Sequence, residues 1–345
     1  MPDAFETAAR NAQEVVTPEE LRELVTRSHK KAYIGIEPSG LAHLGWKIVA
    51  GKISDLTAAG FETTVLLADW HAYINDKLGG DLDKIRTCAS YIKDALEALG
   101  VPRASVRYVY ASDYIGESAY WEKIIRIAKA SSLSRIRRAM DIMGRKEEEM
   151  ELDSSRMLYP MMQVADIFHL DVDLAYGGMD QRKAHMLARE MGGKHGWKKV
   201  TAIHTPLLPS LAGTERMDPV EAKMSKSKPD SAVFIHDSPQ DIARKLKGAF
   251  CPARQVENNP VLDLCRLLIF PAGRLKISRP EKYGGDLDLG SFEELTGLYS
   301  AEKLHPADLK TGVAQALAEM LAPVRSFFEG HPENYNAVKG FGATR

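Results

Sequence analysis

Residues 33–46 read YIGIEPSGLAHLGW, and the change of pattern inside that stretch decides the fold. Ala32 to Ile36 reads as a buried strand. Pro38, Ser39 and Gly40 break it, and from Leu41 to Ala59 the pattern is helical until Gly60 stops it. The same alternation continues outward. Thr63 to Ala68 is a second apolar strand, Asp81 to Leu99 a helix ending at Gly100, and Val106 to Tyr110 a third strand. Further on, Leu158 to Leu170 is helical, Val172 to Tyr176 is a strand turned by Gly177-Gly178, Asp180 to Met191 is helical and Val200 to Thr205 is a strand. Strands alternating with helices give parallel βαβ units, so the expected fold is α/β with a doubly wound parallel Rossmann-like sheet.

Three regions lie outside that rhythm. Residues 1–30 form a helical lead-in, with Thr17 and Glu20 in capping-box spacing. Residues 114–150 are a helical insertion rich in base, with Lys123, Arg126, Lys129, Arg135, Arg137, Arg138, Arg145 and Lys146. A loop rich in Pro, Gly, Lys and Ser spans about 206–232, and helical patterns follow Ser238. The expected division is a catalytic domain over 1–232 and a mainly helical C-terminal domain over 233–345.

The chain has 345 residues and a net charge of −1, so no global field draws it to nucleic acid, and RNA binding would need local basic patches. Cys88, Cys251 and Cys265 are scattered with no CxxC pair. That argues against a disulfide framework or a zinc site and suits a reducing cytoplasm. The polar opening MPDAFETAAR has no signal-peptide core, and no apolar run is long enough to span a membrane.

Two short motifs carry chemistry. In the first, PSGLAHLGW (38–46), a strand turns into a helix, the place where such sheets bind anions. His43 can donate to a phosphate, and Gly45 lets a flat nucleotide approach the backbone. The competing reading is an ordinary turn with a surface histidine. The second, KMSKS (223–227), puts two lysines and two hydroxyls on a loop that can close over a polyphosphate. Alone, it reads equally as a solvated basic loop.

Together, in this order and on a wound sheet, the two resemble the signature pair of the class I aminoacyl-tRNA synthetases. One departure is Trp46, where the family usually has a second histidine. The resemblance narrows to the tyrosyl branch of archaeal and eukaryotic kind through YIGIEPSG (33–40), LLADWHAYIND (66–76), LYPMMQVADI (158–167), GGMDQRKAHMLARE (177–190), KMSKSK (223–228), AFCPA (249–253), RPEKYGGDL (279–287) and LHPADLK (304–310). Tyr159, Gln163 and Asp166 also share one face of a helix by spacing.

By similarity, Tyr33 and Asp166 hydrogen-bond the phenol of a bound tyrosine, and Tyr159, Gln163 and Gln181 hold its ammonium and carboxylate end. Phenylalanine would leave those buried groups unpaired, which rejects it. His71 either lines that pocket or orients a neighbour. The resemblance assigns Gly40, His43, Gly45, Gly178, Asp180, Met224, Ser225, Lys226 and Ser227 to ATP, with Asp180 on the ribose. The resemblance likewise implies that His43, Lys223 and Lys226 are the catalytic residues, acting on the phosphates. Mg²⁺ accompanies ATP with no dedicated protein metal site. No Ser/His/Asp triad is present, and none is required, because the attacking carboxylate of tyrosine is already ionised.

The partners implied are tRNA(Tyr), L-tyrosine, ATP and a second copy of the chain in a homodimer formed by the inserted region. Arg135, Arg137 and Arg138 fall in the basic segment, which reads as phosphate-binding or as a solvated helix face. Arg182 matches a position near the first acceptor base pair, and Tyr283, His305 and Asp308 match anticodon-reading positions. Three other readings stand beside a tyrosine–tRNA ligase: a tryptophanyl-tRNA synthetase, a small-molecule nucleotidylyltransferase, and a non-catalytic RNA-binding paralogue.

Overall fold

Six strands form one sheet. They are β1 (Glu14–Val16), β2 (Lys31–Ile36), β3 (Glu62–Leu67), β4 (Val106–Tyr110), β5 (Leu174–Gly178) and β6 (Thr201–Thr205), in the order β1-β6-β5-β2-β3-β4. The computed structural model describes residues 3–143, 153–213, 223–225 and 229–341. Every pairing is parallel except that of β1 with β6. The chain runs outward from β2 through β3 to β4, then returns to β5 on the other side of β2. The order therefore reverses between β2 and β5, which is where doubly wound sheets bind ligands, at the carboxyl ends of the strands.

The interior strands are largely buried, as parallel strands covered by helices must be. In β3, Val65, Leu66 and Leu67 are buried, and in β6 all five residues are. Helix Tyr159–His169 is buried along its length from Tyr159 to Ile167. A helix apolar on all sides is one enclosed by other elements, and this one packs against helices Ser118–Ala130 and Arg182–His195. Its two polar interior residues, Gln163 and Asp166, are thereby carried into the protein.

By packing, the chain divides into two compact units. The first takes Met1–Gly40, Val49–Pro206 and Glu333–Arg345, and holds the six-stranded sheet; the second takes Leu41–Ile48 and Leu207–Pro332. The division expected at 232/233 follows function and is a different partition from this one. Beyond Ser238 the second unit is mainly helical, with helices Pro239–Gly248, Phe292–Ser300, Pro306–Met320 and Ala322–Gly330.

Several local expectations change. The helix expected from Leu41 begins at Trp46. Residue 43 bridges to Phe234 instead and 44–45 turn into the helix, because Leu44 donates to the Val233 carbonyl at 2.7 Å and Ala42 accepts from Ile235 at 3.1 Å. The strand expected at 172–176 runs from Leu174 to Gly178, so the Gly-Gly pair ends the strand rather than turning it. The lead-in contains β1, whose three residues are too few to show alternation. The second unit contains a two-stranded ribbon, β7 (Leu275–Ile277) with β8 (Leu287–Leu289). Thr17 does cap its helix, accepting from the Glu20 amide at 3.3 Å.

Candidate active site

The first unit gathers its polar side chains around Asp166, which is 1% exposed. One carboxylate oxygen, Oδ1, accepts from the hydroxyls of Tyr114 at 2.7 Å and Tyr120 at 2.8 Å. The other, Oδ2, stands 3.1 Å from His71 Nε2. That approach is an ion-pair contact off the line of a hydrogen bond, since neither atom has a hydrogen-bond partner. Burial alone would lower the His71 pKa. The Asp166 charge and contact, with Glu37 and Asp69 behind them, outweigh it and raise the value.

Tyr33, on β2, is fully enclosed. Burial raises its phenol pKa well above 10, the Asp166 charge adds to that, and a hydrogen bond from Gln163 opposes it. Its hydroxyl lies over Gly35, where an added Cβ would come within 3.1 Å of it. Gln163 Nε2 donates to Gln181 Oε1 at 3.0 Å, and Gln181 Nε2 donates to the Ile142 carbonyl at 3.3 Å. Gln181 sits against Gly177, where a Cβ would stand only 2.8 Å from its own Cβ, so the glycine makes room for the glutamine. Tyr159 meets His71 edge to face at 5.2 Å between ring centroids. Burial raises the Tyr159 pKa well above 10, and Glu37, charged and hydrogen-bonded to the phenol, raises it further. Glu37 also accepts from Asn75 at 3.0 Å.

The expected residues Tyr33, Tyr159, Gln163, Asp166 and Gln181 therefore belong to one buried cluster, and His71 stands within it. Gly178 and Asp180 lie beside Gln181, at the end of β5 and in the turn Met179–Gln181. Gly40 has φ +116°, a left-handed geometry that favours glycine, and its amide donates to Cys88 Sγ at 3.1 Å. Sequence reasoning missed Glu37, Tyr114 and Tyr120. Glu37 was visible as an acid at the end of a parallel strand. The two tyrosines carried no signal, since a buried phenol must find some partner but its sequence does not say which.

Asp166 Oδ2 and Gln163 Oε1 are buried and have no hydrogen-bond partner. Leaving such atoms unpaired costs about 1–3 kcal/mol each. The cluster thus presents a carboxylate acceptor and an amide acceptor to whatever fills it, a demand met by a ligand with hydrogen-bond donors.

The second unit holds the first short motif from Leu41 onward, and Lys223 to Ser225 of the second. Gly45 donates its amide to His43 Nδ1 at 3.1 Å. A ring nitrogen that accepts leaves Nε2 to carry the proton in the neutral imidazole, so Nε2 is a donor. A Cβ on Gly45 would stand 2.8 Å from His43 Cε1 and 3.8 Å from Leu208 Cβ. Gly45 is therefore needed first by the His43 ring. Residue 43 bridges to Phe234, and Lys223 bridges to Pro209. Met224 donates to the Leu208 carbonyl at 2.7 Å. Ser225 follows; Lys226 and Ser227 lie outside the described residues.

Of the candidate RNA contacts, Arg137 and Arg138 are exposed, whereas Arg135 pairs with Glu190 at 3.3 Å. Arg145 and Lys146 lie outside the described residues. Arg182 is gripped by Glu14 through Nε at 2.8 Å and Nη2 at 2.9 Å, and Glu14 also meets His204 Nδ1 at 2.9 Å. In the second unit Tyr283 is 59% exposed with Lys282 over its ring at 4.8 Å. His305 caps its helix by accepting from the Ala307 amide at 3.1 Å, with Asp308 in the first turn. Arg279 donates to the carbonyls of Gly285 and Lys303, tying the Tyr283 loop to the segment before His305.

Among the described residues no helix is long and apolar enough to cross a membrane, and no group of three or more His, Cys, Asp or Glu could hold a metal. The family model for class I tRNA synthetases (W and Y) matches residues 26–322. Tyrosine–tRNA ligase of Aeropyrum pernix is 49% identical, covering 98% of this chain and 96% of its own. That of Sulfurisphaera tokodaii is 51% identical over 94% of this chain and 92% of its own. The crystal structure of the Pyrococcus horikoshii tyrosyl-tRNA synthetase complexed with L-tyrosine superposes with a TM-score of 0.91, at 42% identity, covering 98% of this chain and 100% of that one. The chain belongs to the class I tRNA synthetases of tryptophan and tyrosine, and among them to the tyrosine–tRNA ligases.

Proposed function

We propose that the chain activates L-tyrosine with ATP and transfers it to the 3′ end of tRNA(Tyr). The observation that carries this reading is the pair of orphaned acceptors, Asp166 Oδ2 and Gln163 Oε1, in a cluster lined by Tyr33, His71 and Tyr159. A tyrosine has the complementary donors. Its phenol would donate to Asp166, with Tyr33 beside it, and its ammonium would meet Gln163, Gln181, Tyr159 and Glu37.

In the first step the tyrosine carboxylate attacks the α-phosphorus of ATP. The bond from that phosphorus to the bridging oxygen breaks, and pyrophosphate leaves. No general base is needed, because the nucleophile is already an anion. Catalysis is positioning and charge stabilisation. His43 donates to the phosphates through Nε2, Lys223 and Lys226 neutralise the pyrophosphate, and Met224, Ser225 and Ser227 complete the loop. Gly40, Gly45, Gly178 and Asp180 contact the nucleotide, with Asp180 on the ribose. Mg²⁺ accompanies ATP as part of the substrate. In the second step a terminal ribose hydroxyl of the tRNA attacks the tyrosyl carbonyl, and AMP leaves.

Arg182 meets the acceptor end, and Arg135, Arg137 and Arg138 meet phosphates. Residues 233–345 serve as the anticodon-binding domain through Tyr283, His305 and Asp308. The inserted region forms the homodimer interface, which its exposed Trp121, Ile125 and Leu133 suit. Three buried free thiols suit a reducing cytoplasm.

ATP–pyrophosphate exchange with a panel of amino acids tests the reading. Exchange driven by tyrosine, with tryptophan and phenylalanine near background, supports it. Exchange driven by tryptophan, or by no amino acid, overturns it.

A further inference from the structure

Asp166 is held by more than its position on a helix. Tyr114 follows the turn after β4, and Tyr120 lies in helix Ser118–Ala130, so two separate elements converge on one carboxylate oxygen. Their hydroxyls reach Oδ1 at 2.7 and 2.8 Å. Tyr120 also stands 3.4 Å from the Met162 carbonyl, a longer contact for the single proton it has to give. The two rings meet edge to face at 5.0 Å, and His169 packs against both, at 4.9 and 5.4 Å. Both phenols are buried and keep their protons, burial and then the Asp166 charge pushing their pKa values far up. They are therefore donors only in this arrangement.

A carboxylate oxygen has two in-plane lone pairs, and on Oδ1 both are spoken for. Oδ2 is left with none used by a hydrogen bond. We infer that Tyr114 and Tyr120 are positioning residues for amino-acid specificity: by saturating Oδ1 they fix the plane of Asp166, so that Oδ2, with His71 Nε2 beside it at 3.1 Å, is the oxygen turned to accept a ligand's phenolic proton. The inference rests on the tyrosine reading above and extends it to two residues that touch Asp166 and not the substrate. It also accounts for the side chains chosen. A phenol at each position reaches Oδ1 with a neutral donor that keeps its proton.

The test is pyrophosphate exchange by Tyr114→Phe, Tyr120→Phe and the double variant, each with tyrosine, phenylalanine and 4-fluorophenylalanine, which has no proton to donate. Each variant removes one oxygen and keeps the ring packing. The readout is the ratio of kcat/KM for tyrosine over that for the two analogues. This ratio is measured on one preparation, so a reduced folded fraction cancels. Each single variant should lower the ratio about fivefold or more, and the double variant should lower it further. The loss should appear mainly in KM for tyrosine, with the analogues unchanged or improved. If the tyrosine and analogue values fall together and the ratio holds, the two phenols are packing residues only and the inference is overturned. An unchanged enzyme overturns it as well. If wild-type protein fails to exchange with tyrosine at all, the functional reading itself has failed, a result distinct from either.

Discussion

The buried cluster of the first unit and the surroundings of His43 and Lys223 in the second are built by opposite means. Around Asp166 the side chains position one another: Tyr114, Tyr120, His71, Gln163 and Gln181 come from five different segments and are nearly all out of solvent. At His43 and Lys223 the backbone does the positioning. Residues 42–44 are pinned to 233–235, residue 224 is pinned to 208, and Gly45 both holds the His43 ring and gives it room. A buried side-chain network suits discrimination, where an unmatched group is costly. Backbone-held side chains suit phosphate chemistry, where charge must be placed while the rest of a polar substrate changes.

That contrast can be broken by substitution. Asp166→Asn should be the most damaging, because it puts an amide among phenol donors and removes the charge facing the substrate. We expect kcat/KM for tyrosine in pyrophosphate exchange to fall roughly 10³-fold, with the value for phenylalanine falling less than tenfold. A uniform loss for both substrates would mean the cluster is structural.

Acid compares the two units directly, since each has a histidine that desolvation holds neutral. Burial, then the neighbouring His204, depresses His185 to about 3 in the first unit, and burial depresses His236 to about 4 in the second. The unfolded chain takes up those protons near pH 6.5, the folded chain only near 3 and 4. Stability is therefore full above pH 6.5 and falls as pH drops. For His236 the cost is on the order of 3 kcal/mol by pH 4. Denaturant unfolding of wild type and His236→Asn between pH 7 and pH 4 should show a shallower acid slope in the variant; equal slopes would remove His236 from the account.

Lys223→Ala should lower kcat for exchange about fiftyfold and leave KM for tyrosine within about threefold, the pattern of a group that acts on developing charge. Gly45→Ala should lower kcat about tenfold by pushing its Cβ into the His43 ring, with no change in the tyrosine/phenylalanine ratio. A change in that ratio would show that the two constructions are not separable. Smallest is Glu14→Gln, which loosens the two-pronged grip on Arg182. KM for tRNA in aminoacylation should rise about fivefold while exchange stays within twofold.

Much of this was legible in the chain. The alternation of strands and helices gave the wound sheet, because burial on both faces leaves a run of apolar residues that any reader can see. The helix carrying Tyr159, Gln163 and Asp166 was legible for the same reason, and its spacing put the three on one face. The start of the helix at Trp46 was not legible, since residues 42–44 have helical pattern and are bonded instead to partners nearly two hundred residues away in sequence.

What the sequence determined alone, then, was everything carried by local periodicity and by long ordered motifs: the sheet, its helices, the tyrosyl branch and the residues at its signatures. Tertiary structure decided which groups spend their hydrogen bonds on each other and which are left without a hydrogen-bond partner. Tyr114 and Tyr120 occupy one oxygen of Asp166, Glu14 occupies Arg182, and Asp166 Oδ2 remains. Hydrogen bonds between residues far apart in the chain depend on distances and angles set by the packing of whole elements, and no local pattern records them.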